Sequence, residues 1–201
     1  MRRNAGRKPR RITMRLAIGL LAAIVSASPL LVTHAQTDGD AIRLPNPDGR
    51  DPVFNESQRD NLIDITFYES NDDTRLTLSD FPARLRLINY WATWCVPCVR
   101  ELPSLSRLDE RYPDNDLRIV AISLDRTETQ EISDFLSTLS MPPLDWYIDR
   151  SRQSGQAANV VALPTSILVD HEGQELGRIF GSADWESAEA IQLIESLLGP
   201  D

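Results

Sequence analysis

Cys95 and Cys98 are the only cysteines in the 201-residue chain, and two residues separate them. Thiols at that spacing close into a disulfide, reopen, and pass two electrons to another protein. Three chemistries compete for such a pair: a redox couple, a metal clip and a short structural staple. A structural zinc site takes about four protein ligands. The two histidines are His34, near the N-terminus, and His171, in a turn beside Gly173; no four-ligand cluster results. Covalent haem attachment needs a histidine directly after the second cysteine, where this chain has Val99. A two-residue ring staples very little chain. Redox chemistry is the favoured reading, with Cys95–Cys98 as a redox-active disulfide and neither metal nor cofactor expected.

That chemistry needs a strand that stops and a helix that starts at the first cysteine. Leu85–Trp91 is apolar apart from Arg86 and Asn89 and reads as a strand. Residues 96–112 read as a helix with Val99, Leu102, Leu105 and Leu108 on one face. Cys95 then sits where free backbone N–H groups and the positive end of the helix dipole favour a thiolate. Cys98 lies one turn further on and is placed to resolve a mixed disulfide. Pro97 lacks an N–H, which costs nothing in the first helical turn. Trp91 and Trp94 are expected to form an apolar collar that keeps water from the sulfurs.

Around this pair, strands and helices alternate. Residues 62–67 and 75–78 read as an N-terminal hairpin turning at Asn71-Asp72-Asp73, followed by a helical turn at 79–82. Residues 117–124 form an almost uninterrupted apolar strand, as expected where both faces are covered. A helix over 127–139 is expected to open with a capping box between Thr127 and Gln130. A strand over 144–148, a helix over 151–159, a hairpin over 165–180 and a helix over 184–198, capped by Ser182 or Asp184, complete the pattern. The class is α/β: a central mixed sheet with helices on both faces.

Residues 88–103, INYWATWCVPCVRELP, resemble the active-site strand and helix of the thioredoxin superfamily, and in particular the TlpA/ResA-like thiol–disulfide oxidoreductases of the bacterial cell envelope. Leu163-Pro164-Thr165 is similar to that family's cis-proline loop. The resemblance covers about residues 58–199. Pro164 follows Cys95 by 69 positions, more than in a plain thioredoxin, and an inserted helix and strand over 127–148 would account for the excess. The resemblance implies a thioredoxin fold, a nucleophile at Cys95 and a resolving thiol at Cys98. It places the active-site glutamate at Glu101 and a tuning residue at Asn89, with Trp91 beside it. Trp94, Val96, Pro97, Leu163 and Thr165 would meet the substrate.

The implied activity is reduction of disulfides in client proteins such as apocytochrome c or copper-site proteins. A membrane thiol donor would restore the dithiol. A disulfide oxidase on the same fold remains open. A copper(I) chaperone is a weaker alternative, since it would want a wider cysteine spacing and a distal histidine. A peroxidase is weaker still, because Trp91-Ala92-Thr93-Trp94 does not reproduce the surroundings of a peroxidatic cysteine.

The first 35 residues carry seven basic side chains and no acidic one, ahead of an uncharged run that begins at Leu16. This is the order of an export signal, and the leading cations stay in the cytoplasm. The segment is read either as a signal cleaved after Ala35 or as a retained anchor, so the remainder is expected on the outer side of the membrane. Residues 36–57, polar and rich in Pro, Asp and Asn, are expected to be a flexible spacer, and 58–201 the thioredoxin-like domain. Without residues 1–35 the chain keeps 14 of its 21 basic residues against all 30 acidic ones, a formal charge of −16. Such a body repels nucleic acid, and a monomer is expected.

Overall fold

A computed structural model of the chain describes residues 41–200, apart from 47, 63–64 and 72–73 and from the side chains of 57–61. The expected export segment and the first part of the expected spacer lie outside these residues. Eight strands form one sheet: β1 (Phe54–Asn61), β2 (Thr66–Glu69), β3 (Arg75–Thr77), β4 (Leu85–Trp91), β5 (Leu117–Ser123), β6 (Trp146–Ile148), β7 (Thr165–Asp170) and β8 (Gln174–Phe180). Their order is β1-β8-β7-β4-β5-β6-β2-β3. The helices are α1 (Val96–Arg111), α2 (Thr129–Ser137), α3 (Gln153–Ala157) and α4 (Ala188–Leu198). No helix among the described residues is long and apolar enough to cross a membrane.

The sheet is mixed. β4 runs parallel to β5 and antiparallel to β7. All seven residues of β4 are buried, because helices cover both faces. Period-two alternation divides its side chains. Leu85, Leu87 and Trp91 join the core made with α1 and α4, while Ile88 and Tyr90 join the opposite core with Phe67, Phe81 and Ala158. Asn89 belongs by register to the first of these faces, directly over α1. The inserted helix and strand are α2 and β6, and β6 extends the sheet beside β5.

Several expectations need correction. The spacer reading fails from about residue 42 onward. Leu44 is fully buried, Phe54 nearly so, and β1 pairs with β8. Backbone bonds from Leu44 N to Pro52 O and from Phe54 N to Ile42 O close this segment into a loop held on the domain. Two apolar anchors in a polar stretch are enough, because Gly177 leaves a space for Phe54: a Cβ at 177 would meet the Phe54 ring at 2.3 Å. The N-terminal hairpin is present as β2 and β3, but its first strand begins at Thr66 rather than Leu62. The capping box at α2 does not form, since Thr127 Oγ1 bonds the Glu131 side chain instead of a backbone N–H. α4 starts later than expected: Ser187, not Ser182 or Asp184, caps it by accepting from Ala190 N at 3.2 Å. Asp184 makes a turn of its own, accepting from Glu186 N.

Candidate active site around Cys95 and Cys98

β4 ends at Trp91, and after three intervening residues Cys95 becomes the N-cap of α1. The intervening turn is fixed by Asp125, which follows β5. Its buried carboxylate accepts from Thr93 N at 2.9 Å, Thr93 Oγ1 at 2.8 Å and Ser123 Oγ at 2.8 Å. Cys95 and Cys98 are joined in a disulfide. The Cys95 sulfur also accepts from Cys98 N at 3.4 Å, so a donor already points at the atom that would carry thiolate charge. Cys95 keeps a little exposure, 6%, and Cys98 has none. An incoming disulfide can therefore reach only Cys95.

Glu101 is buried one turn beyond Cys98. Its carboxylate accepts from Asn89 Nδ2 at 2.7 Å and from Ala183 N at 3.0 Å. Burial pushes the carboxyl up to about 8, against the pull of the Asn89 amide and the Ala183 N–H. Asn89 also donates to Ser166 Oγ at 2.9 Å, across the β4–β7 register that places the two side by side. Its Oδ1 has no partner among the described residues. On the other side of Glu101, a polar cleft of about 190 Å³ opens between α1 and the loop at 182–186.

The Leu163–Pro164 peptide bond is cis, as the resemblance implied. Leu163 and Cys95 both line one groove of about 680 Å³, together with Trp94, Val96 and Pro97. Two of the expected site residues are placed differently. Trp94 is 61% exposed and stands on the groove rim instead of shielding the sulfurs. Only Trp91, fully buried and edge-on to Trp146 at 6.4 Å, packs the interior. Thr165 is buried and spends its hydroxyl on Ala162 O at 2.8 Å, so it shapes the proline loop and does not line the groove.

Three positions escaped the sequence reading. Asp125 anchors the turn before Cys95. Ser166 completes the Asn89 network. Arg152 lies over the Trp94 ring, 6.0 Å from its centroid. Asp125 carried a local signal, since Ser123 ends an apolar strand and Asp125 follows two positions later. Ser166 and Arg152 carried none. Among the described residues no cluster of His, Cys, Asp and Glu could hold a metal ion.

Comparison with known proteins adds four findings. The Redoxin family model matches residues 57–194, more than half of the chain. A thiol-disulfide oxidoreductase ResA from Bacillus cereus (strain ATCC 10987 / NRS 248) is 29% identical over 115 residues; that match spans 57% of this chain and 65% of the relative's length. ResA from Geobacillus kaustophilus is 28% identical over 184 residues, 91% of this chain and 95% of that protein. A solved thioredoxin domain of a thiol-disulfide oxidoreductase from Bacteroides vulgatus superposes with a TM-score of 0.56 at 19% identity, covering 71% of this chain and 99% of that one. At that identity it speaks for the fold alone: a thioredoxin fold.

Proposed function

The chain belongs to the redoxin family, and from that premise we propose that it is a thiol–disulfide oxidoreductase that reduces disulfides in client proteins outside the cytoplasm. One observation carries the reading. The Cys95–Cys98 disulfide opens a helix, and Cys95 shares one groove with Leu163, the residue before the cis-proline. The names of the ResA relatives agree with it.

The cycle begins with the dithiol. The Cys95 thiolate, favoured by the helix N-terminus and the Cys98 N–H, attacks one sulfur of a client disulfide. That S–S bond breaks, and the departing client thiolate takes a proton. A mixed disulfide now joins Cys95 to the client. Cys98 loses its proton and attacks the Cys95 sulfur. The second client thiolate leaves, and the Cys95–Cys98 disulfide seen here is the product. Two electrons have passed from the protein to the client. A thiol donor at the membrane returns them.

Glu101 is the group proposed to take the Cys98 proton. A carboxyl held at about 8 changes protonation close to neutral pH. Asn89 and Ser166 position it. Leu163 and the rim residues Trp94, Val96 and Pro97 would meet the client backbone and side chains. Apocytochrome c and copper-site proteins are clients of the expected kind.

The deciding measurement is the equilibrium reduction potential of the Cys95–Cys98 couple. A value near the thioredoxin figure of about −270 mV supports the reductase, and one near about −120 mV an oxidant. The second result would reverse the proposed direction of electron flow.

A further inference from the structure

Among the described residues, the groove beside Cys95 is lined by a single charged side chain. Its other lining side chains, among them Val96, Leu124, Gln156 and Val160, are uncharged. The charge is Arg152, the N-cap of α3, held at φ 61° in the left-handed region. That conformation is uncommon for a side chain of this kind. It is imposed by a built turn. Arg152 N donates to Asp149 O at 3.1 Å, and the buried Asp149 carboxylate accepts from Ser151 Oγ at 2.7 Å and from Ser154 N at 2.8 Å.

The guanidinium has no carboxylate partner among the described residues, and its buried Nε makes no hydrogen bond. Several other arginines have carboxylate partners, although Arg75 and Arg86 bond neutral oxygens instead. Arg100 pairs with Asp48, Arg107 with Glu186, Arg118 with Asp114 and Asp145, and Arg178 with Glu175. The Trp94 ring takes one face of the Arg152 guanidinium, whereas its N–H donors lie in the plane and suit a carboxylate. Around it stand exposed apolar side chains: Trp94 and Val96 at 61% and the neighbouring Val161 at 83%. An apolar surround strengthens a charge–charge contact.

We infer that Arg152 is a specificity-determining residue that receives a carboxylate lying close to the attacked cysteine in the client. The preferred client segment is extended and carries an acidic residue beside its cysteine, with an apolar residue for the Trp94–Val96 rim. This inference rests on the oxidoreductase reading and names the substrate class of that same groove.

The experiment uses the reduced full chain and disulfide-linked peptide dimers with Asp, Asn or Lys next to the cysteine. Neutral 2-hydroxyethyl disulfide serves as a reference. The readout is the second-order rate of disulfide reduction. The wild type should reduce the Asp peptide about fivefold faster than the Asn peptide, and the Lys peptide more slowly still, as an exposed charge pair allows. Salt should collapse that spread. Arg152→Asn keeps a residue that tolerates the left-handed region and should level the three peptides with the neutral disulfide unchanged. Arg152→Glu should invert their order.

A wild type with no charge preference, or a preference that Arg152→Asn retains, overturns the inference. So does an equal loss on the neutral disulfide, which would mean that Arg152 acts on Cys95 itself. A concentration-dependent dimer dissolved by Arg152→Glu would assign the groove to a second copy and also overturn it. A wild type inert to 2-hydroxyethyl disulfide would instead remove the oxidoreductase reading.

Discussion

Glu101 couples the chemistry to stability. Its carboxyl is raised from the ordinary 4.5 to about 8. Between those values the unfolded chain has lost the proton while the folded chain still holds it. Its contribution to stability is therefore greatest below pH 4.5, falls as pH rises, and levels off above 8. At about 1.4 kcal/mol for each tenfold change, the loss is on the order of a few kcal/mol. Glu101→Gln should remove the slope between about pH 6 and 8 in urea unfolding measured from pH 4.5 to 9; below pH 6 Asp109, raised to about 6 by burial, also contributes. An amide fits if Asn89 turns over, for its unpartnered Oδ1 can then accept from the new side chain. The same variant should slow client reduction by about a hundredfold and remove the inflection near pH 8; equal pH profiles would leave Glu101 without a proton role. The cysteines invite a separate measurement. Cys98→Ser should trap a mixed disulfide and Cys95→Ser almost none, because only Cys95 is exposed; comparable trapping would undo the assignment. Much of this was legible in the sequence. The pair, Pro164 and Glu101 all stood out, and Glu101 shares the Leu105–Leu108 stripe at helical spacing. What stayed hidden were contacts between distant segments: Ser166 beside Asn89, and Arg152 over Trp94. Nothing local distinguishes those residues from ordinary surface positions.

The strands and helices that hold the site were readable where apolar runs were long. β4, β5 and α1 fall where periodicity puts them. Boundaries went astray where a side chain chose a partner that propensity does not rank, as Thr127 did with Glu131 and Ser187 with Ala190 N. The largest miss was β1 with the loop before it. Its composition is polar, and its place depends on a gap that only Gly177, far along the chain, leaves open. Two substitutions follow from that contact. Gly177→Ala would drive a Cβ into the Phe54 ring and the Asn55 carbonyl, and should cost about 1–3 kcal/mol as an overpacked site does. Leu44→Ala should cost about 2–5 kcal/mol by leaving a cavity. Urea unfolding gives both numbers. Hydrogen exchange should show β1 and the Leu44 loop opening in each variant, with alkylation of reduced Cys95 unchanged. A domain trimmed to start at residue 58 should be weaker than either.

At the scale of the whole molecule, the seven leading cations and the excess of acid elsewhere bear on where the domain works. Alkaline phosphatase fused after Asp201 should be active, and a β-galactosidase fusion at the same point inactive; the reverse pattern would place the domain in the cytoplasm. The order of the strands has its own effect. β1 lies at one edge of the sheet and finds its partner only in β8, where Phe54 meets Ile179. β4, at the centre, likewise waits for β7. Pairings between such remote parts of a chain form slowly, because the intervening loop must close first. A ribosome releases the N-terminal strands long before their partners exist, so the sheet cannot close until nearly the whole chain has been made. If the chain is exported as proposed, that delay would be an advantage: it would stay pliable during transit and set its active-site helix against the sheet only on arrival.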